Sequence, residues 1–240
     1  MEQLTGRVAI VTGGSRGIGL AIARALIADG VNVAVTGRNA AHLSDARRTI
    51  EAAGPGAVET LQADVRDYTG VQRAVDAAAS RFGGLDILIN NAGVGLFGDV
   101  ASMSPDTWSD VIGTNLTGVF HACHAALPHL RTRGGGFIVN ISSLASKNPF
   151  AGAAAYCASK AGLNAFSESL MQEVRYDNIR VSCVLPGSVA TGFSNRPETE
   201  GAEWKVSADE VADVVMNLLR HHPRSLPSRV ELRPSKPRKS

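Results

Sequence analysis

The 240-residue sequence predicts a doubly wound α/β fold, a parallel sheet with helices on both faces. Three observations predict it. Short β-branched runs alternate with long amphipathic stretches, the β-α order that gives a parallel sheet with right-handed crossovers. Several runs are almost wholly apolar, as strands buried on both faces are. The segments directly after the runs are rich in Gly, Ser, Asn and Asp, and ligands of such sheets bind beyond the carboxyl ends of the strands.

The strands are expected at VAIV (8–11), VNVAVT (31–36), VETLQA (58–63), LDILIN (85–90), FIVNI (137–141), RVSCVL (180–185) and RVEL (229–232). Helices are expected near 17–29, 40–53, 70–82, 105–131, 154–176 and 207–221, the last opened by the S-x-x-E capping box of Ser207 and Glu210. No repeat, low-complexity stretch or internal linker interrupts the pattern, so residues 1–233 are read as one domain and 234–240 as a basic, frayed tail.

Composition narrows the function. The chain is 44% hydrophobic and 19% charged with a net charge of +2, which suits a globular protein and argues against nucleic acid as its partner. From Arg220 onward, Arg220, Arg224, Arg229, Arg233, Lys236, Arg238 and Lys239 face one acid, Glu231, and read as a solvated tail or a weak docking site for an acidic partner. Cys123, Cys157 and Cys183 are odd in number and widely spaced, as reduced thiols are. No run approaches the ~18 apolar residues of a membrane span, and MEQLTGRVAIVTGG lacks the pattern of a secretory signal, so a cytoplasmic protein is expected. His121, His124 and His129 share one expected helix without metal-site spacing and read as surface or interface residues; no metal is expected.

The first strand runs into Thr12-Gly13-Gly14-Ser15-Arg16-Gly17-Ile18-Gly19 and then a helix. Glycine lets such a turn approach a pyrophosphate, and the helix N-terminus supplies free N–H groups and a positive dipole end. Gly13, Ser15, Arg16, Gly17, Ile18 and Gly19 are therefore candidate cofactor contacts, although the spacing G-x-x-x-G-x-G departs from the common G-x-G-x-x-G. The second strand ends in Thr36-Gly37-Arg38, where NAD binders carry a carboxylate for the ribose 2′-hydroxyl. No acid stands there, and Arg38 with Arg16 predicts NADP(H) over NAD(H). Asp64, with Val65 beside it, follows the third strand and is expected to accept from the adenine amino group; Asn91, Ala92 and Gly93 follow the fourth and are expected to line the adenosine.

Tyr156 and Lys160 stand four apart in AAAYCASKAGL, hence on one helix face. A chance Y-x-x-x-K arises only about 0.06 times in a chain of this composition. With TGGSRGIG, NNAG (90–93), Asn115, a serine thirteen before the tyrosine, YCASK and PG (186–187), the chain resembles the short-chain dehydrogenase/reductase family over nearly its whole length, and 3-oxoacyl-acyl-carrier-protein reductases in particular. The resemblance implies a Rossmann-type, seven-stranded, three-layer sandwich and NAD(P)-dependent hydride transfer at a carbonyl or alcohol.

It also implies roles. Tyr156 would be the general acid or base, its phenol brought below the ordinary value of ~10 by Lys160 and the oxidised nicotinamide. Lys160 would also hold the nicotinamide ribose. Ser143 would hydrogen-bond the substrate oxygen, with Ser142 the competitor facing the other way. Asn115 would hold a water linking Lys160 to solvent; without the resemblance it reads as a helix asparagine bonded to neighbouring backbone. Pro186, Gly187, Val189 and Thr191 would contact the nicotinamide and its carboxamide.

Phe97, Phe150, Phe193 and Trp204 are candidates for an apolar substrate pocket, with Gly192–Val206 as a short cover carrying Arg196, Glu198, Glu200, Glu203 and Lys205. The leading expectation is an NADPH-dependent reductase of a ketone or 3-oxoacyl thioester. An NADP-dependent alcohol, sugar or steroid dehydrogenase run oxidatively comes second, and a non-catalytic NADP-binding regulator third. By the resemblance, 105–131 and 154–176 would pack in a homodimer or homotetramer, and the basic tail allows an acyl carrier protein as partner.

Overall fold

A computed structural model describes residues 3–193 and 202–237. Its strands are β1 (Val8–Thr12), β2 (Asn32–Gly37), β3 (Val58–Gln62), β4 (Ile87–Asn90), β5 (Gly136–Ile141), β6 (Ile179–Pro186) and β7 (Arg229–Leu232). They form one parallel sheet in the order β3-β2-β1-β4-β5-β6-β7. The order reverses between β1 and β4, and the crevice opens there. The helices are α1 (Gly17–Ala28), α2 (Ala40–Glu51), α3 (Tyr68–Phe82), α4 (Pro105–Ile112), α5 (Gly118–Thr132), α6 (Ala154–Val174) and α7 (Ala208–Leu219).

Strand alternation splits the core in two. Ala9, Val11, Phe137, Val139 and Ile141 face one side with Ile22 and Leu26 of α1 and Val215 and Leu219 of α7. Val8, Ile10 and Ile138 face the other with Val75 of α3, Leu130 of α5 and Leu163 of α6. These three layers are the expected sandwich. The capping box forms: Ser207 Oγ accepts from the Glu210 N–H at 3.1 Å, and Glu210 accepts from the Ser207 N–H at 2.6 Å.

The long helix expected over 105–131 is two helices. α4 and α5 are joined by a π-helical turn, Gly113–Thr117, whose centre is Asn115. Glycine flanks the turn because its neighbours leave no room: a Cβ on Gly118 would stand 2.7 Å from Val65 Cγ2. Likewise α6 closes in a 3₁₀ turn, Arg175–Asp177, ended by Asn178 at φ 59°.

The basic run from Arg220 is only partly a tail. Arg220 holds Asp29 through two nitrogens, Arg229 opens β7, and Arg233 pairs with Glu231. Arg238 and Lys239, like Arg196, Glu198 and Glu200 of the expected cover, lie outside the described residues. Among the described residues no helix is long and apolar enough to cross a membrane.

Candidate active site

The carboxyl ends of β1, β2, β4, β5 and β6 enclose a cleft of about 820 Å³. Its outer wall starts at the β1 turn. Gly13 sits at φ +63°, and a Cβ there would lie 2.8 Å from Ala92 Cα. The turn is held from across the sheet: Asn91 Nδ2 donates to the Thr12 and Gly13 carbonyls at 3.1 and 3.0 Å, and the Asn91 and Ala92 N–H groups donate to Thr12 Oγ1. α1 begins here without a side-chain cap, so its first N–H groups are left for a ligand. Turn, cleft and uncapped helix fit the pyrophosphate of a dinucleotide.

Gly13, Ser15, Arg16, Gly17, Ile18, Arg38, Asp64, Val65, Asn91, Ala92, Gly93, Pro186, Gly187, Val189 and Thr191 all line the cleft. Gly19 does not. It is glycine for packing, since a Cβ would stand 2.4 Å from Asn91 Nδ2 and 2.5 Å from the Gly13 carbonyl. Asn90, one residue before Asn91, is buried and donates to Asn140 Oδ1 at 2.8 Å.

Asp64 lines the cleft with its carboxylate already taken. Arg66 donates to it from Nε at 3.1 Å and from a terminal nitrogen at 2.7 Å, and these hydrogen bonds pull its pKa below the usual carboxylate value. Arg66 also reaches Asp110 of α4. The sequence reading missed this bridge, and it missed His42, which lines the cleft beside Arg38. DVRD gave no sign of a partner 44 residues on.

At the inner end Tyr156 is half-buried on α6 and lines the cleft with Ser143 and Lys160. Burial pushes the Tyr156 phenol up and a hydrogen bond with Ser143 pulls it back. Lys160 Nζ lies 6.0 Å from the Tyr156 ring centroid and donates to the Ile141 carbonyl at 2.8 Å. Burial brings Lys160 itself down to about 8. Ser142 turns away, donating to Asn164 Oδ1 at 2.7 Å, which leaves Ser143 as the serine facing the phenol.

Asn115 is fully buried. Its Oδ1 accepts from the Val94 N–H at 2.8 Å, and Nδ2 donates to the Val94 carbonyl at 2.9 Å and Ser159 Oγ at 3.0 Å. Ser159 in turn donates to the Tyr156 carbonyl at 2.7 Å. The extra residue of the π turn carries the Asn115 amide to this position, and π turns recur at functional sites for such reasons. The GTNLTG sequence carries paired glycines as the only local sign.

Phe97 and Phe193 flank the Tyr156 ring, with centroids 5.7 and 5.9 Å away, and Phe150 lies 6.1 Å from Phe97. Of the four candidates for the apolar pocket only Phe193 lines the cleft; Phe97, Phe150 and Trp204 do not, and Trp204 lies under Lys205. The three α5 histidines are spent locally: His121 on the Val65 carbonyl, His124 on Tyr68 and His129 on Asp76.

The sequence model of the short chain dehydrogenase family matches residues 7–201. The chain belongs to that family. Among curated relatives, 3-oxoacyl-acyl-carrier-protein reductase FabG of Chlamydia pneumoniae is 37% identical over 202 residues, 84% of this chain and 81% of the relative. A short-chain dehydrogenase from Burkholderia cenocepacia, solved in complex with NADP, superposes with a TM-score of 0.88 at 37% identity, covering 97% of this chain and 98% of that one. An alcohol dehydrogenase from the archaeon Thermococcus sibiricus, complexed with 5-hydroxy-NADP, gives 0.90 at 28% identity, covering 98% and 99%.

Proposed function

We propose that the protein is an NADPH-dependent reductase that converts a carbonyl compound to an alcohol, with Tyr156 as the proton donor. The observation that carries this reading is the convergence of Tyr156, Ser143 and Lys160 on one cleft whose other end is the glycine turn. The Gly13–Gly19 turn and the α1 N-terminus would hold the pyrophosphate. Arg16 and Arg38 would bind the 2′-phosphate, with Asp64 and Val65 at the adenine and Pro186, Gly187, Val189 and Thr191 at the nicotinamide. The bound cofactor supplies a hydride to the carbonyl carbon in its reduced form and a positive charge beside the phenol once oxidised.

Ser143 polarises the carbonyl oxygen and Tyr156 gives that oxygen its proton, so C=O becomes CH–OH. Because burial raises the phenol, the protein alone keeps Tyr156 protonated, the form an acid catalyst needs. Lys160 would hold the ribose and return a proton to Tyr156, a role suited to an amine near 8. Asn115 acts at one remove, fixing Val94 and, through Ser159, the backbone at Tyr156.

Assembly as a homodimer or homotetramer is part of the same proposal, supported by Trp108 and Phe120 left half-exposed on α4 and α5. A carbonyl panel with NADPH or NADH tests the reading. NADPH is expected to be consumed faster, and Tyr156→Phe is expected to lower turnover about 10²–10⁴-fold while NADPH still binds. A Phe variant as fast as the parent would remove Tyr156 from the chemistry.

A further inference from the structure

The helix face that bears Tyr156 and Lys160 carries a further polar side chain. Asn164 stands four residues after Lys160 and eight after Tyr156, so it continues the same stripe of α6. A mid-helix asparagine commonly bonds its own backbone or points to solvent. The hydrogen bonds of Asn164 instead all leave the helix. Its Oδ1 accepts from Ser142 Oγ at 2.7 Å and from Cys183 Sγ, on β6, at 3.4 Å; its Nδ2 donates to Ser146 Oγ at 2.7 Å.

Ser142 and Ser146 bracket Ser143. The Ser142 N–H is itself tied to β6, donating to the Val184 carbonyl at 2.7 Å. Ser146 donates twice to the Ser143 carbonyl, from Oγ at 2.5 Å and from its N–H at 3.1 Å. One amide thus holds the residue before Ser143 and, through Ser146, the carbonyl of Ser143 itself. Inside this frame the Ser143 side chain has one way to act. Its Oγ accepts from the Ala145 N–H at 3.1 Å, which leaves its hydrogen to be donated into the cleft. That donation is what pulls the Tyr156 phenol back against burial.

The residue type fits the task. An amide accepts at one end and donates at the other. A carboxylate of the same length could only accept; the Ser146 hydroxyl would turn to it and release the Ser143 carbonyl. Leucine fills the volume and offers neither group.

We propose that Asn164 is a positioning residue for the reduction: its amide sets the Ser142–Ser146 turn so that the Ser143 hydroxyl points at Tyr156 and the substrate oxygen. This rests on the reductase reading above, which gives Ser143 that oxygen. Asn164 does not line the cleft, so it acts through Ser143.

The test is a double-mutant cycle between Asn164→Leu and Ser143→Ala, read with NADPH and the fastest-reduced of ethyl 3-oxobutanoate, cyclohexanone and benzaldehyde. Ser143→Ala is expected to lower kcat about 10²-fold, as loss of one donor to a developing oxyanion does. Asn164→Leu is expected to lower kcat about tenfold, the scale of a donor misplaced by less than ~1 Å, with the KM for NADPH changed less than about twofold. In the Ser143→Ala background the same leucine is expected to cost less than about twofold more, because the two residues act as one unit. Ser146→Ala cuts the arm to the Ser143 carbonyl and leaves α6 untouched, so it replaces the leucine variant should that one not fold. It is expected to lower kcat about threefold, and again only where Ser143 is present.

An equal loss of kcat with and without Ser143, or a loss accounted for by a weaker hold on NADPH, overturns the positioning role and leaves the reductase reading standing. A parent that reduces none of the three carbonyls counts against the reductase reading, and crystal structures then decide for Asn164. Ser143 Oγ swung from Tyr156, or split between rotamers, in Asn164→Leu supports the positioning role; Ser143 unmoved from its place in the parent overturns it.

Discussion

The outer and inner ends of the cleft use positive charge in opposite ways. At the outer end Arg16 and Arg38 are exposed on the β1 and β2 turns, and the charge of Arg38 is felt by Asp64. At the inner end Lys160 is buried against the Ile141 carbonyl and drawn down to about 8. An exposed arginine attracts an anion at little cost to the fold, and salt screens it. A buried ammonium destabilises the folded chain before any ligand arrives, and little water or salt reaches it afterwards. Recognition and chemistry are thus separated along one cleft by solvation.

Lys160→Met breaks the inner end and has the largest effect expected here. Activity is expected to fall at least about 10²-fold, as for loss of a group engaged in proton transfer. Stability reads the same residue differently. The folded pKa lies below the unfolded one, so between about 8 and 10.5 the unfolded chain binds the extra proton. The penalty is complete below pH 8 and fades as pH rises toward the ordinary lysine value. Relative to Lys160→Met, the cofactor-free parent should therefore gain on the order of 2 kcal/mol between pH 7 and 9.5. The buried thiols of Cys123 and Cys183, raised by burial, act in the opposite sense within this window and Tyr156 does so above pH 10, but all three are present in both proteins, so the difference between the two reads Lys160. Denaturant unfolding at the two pH values checks it; parallel pH dependence in the two proteins would mean that Lys160 is not held in the low state.

Arg38→Asp breaks the outer end and should be felt in binding alone. The KM for NADPH is expected to rise about tenfold with kcat nearly unchanged, and NADH should improve, because a carboxylate suits the ribose 2′-hydroxyl. In the parent, the preference for NADPH should shrink as ionic strength rises. A salt-independent preference would place the discrimination in buried contacts.

The same division decided what the sequence could tell. The outer end was legible because its chemistry is local. Thr12 to Gly19 and Thr36 to Arg38 are continuous, and their residue types follow from one strand-turn-helix. Tyr156 and Lys160 were legible through helical spacing, and Ser143 through the spacing that the family resemblance implies. What stayed hidden depends on residues brought together from afar. The π turn was read as uninterrupted helix because 105–131 keeps its apolar spacing through it; its reason lies in Val94 and Ser159, 21 and 44 residues from Asn115. Gly19 was placed on the ligand because a glycine-rich turn gives no sign that one glycine faces Asn91 from below. Phe97, Phe150, Phe193 and Trp204 were grouped by residue type, and only the fold shows that Phe193 alone of the four lines the cleft.

Arg66 joins the two ends, and its substitution gives the smallest effect predicted. One guanidinium holds Asp64 on the cleft and Asp110 in the last turns of α4, and its methylene groups pass 3.6 Å from where a Cβ on Gly113 would be. The next residues form the π turn that fixes Asn115. If that bridge carries position from the adenine side to Val94, Arg66→Ala should raise the KM for NADPH about two- to fivefold, the scale of a partly exposed ion network. It should lower kcat by a similar or smaller factor, because Asn115 keeps its bonds to Val94 and Ser159. Asp110→Asn cuts only the α4 arm and leaves Asp64 held. A loss of kcat in Asp110→Asn with the NADPH KM unchanged would show the bridge acting on the inner end; a KM change confined to Arg66→Ala would limit Arg66 to orienting Asp64.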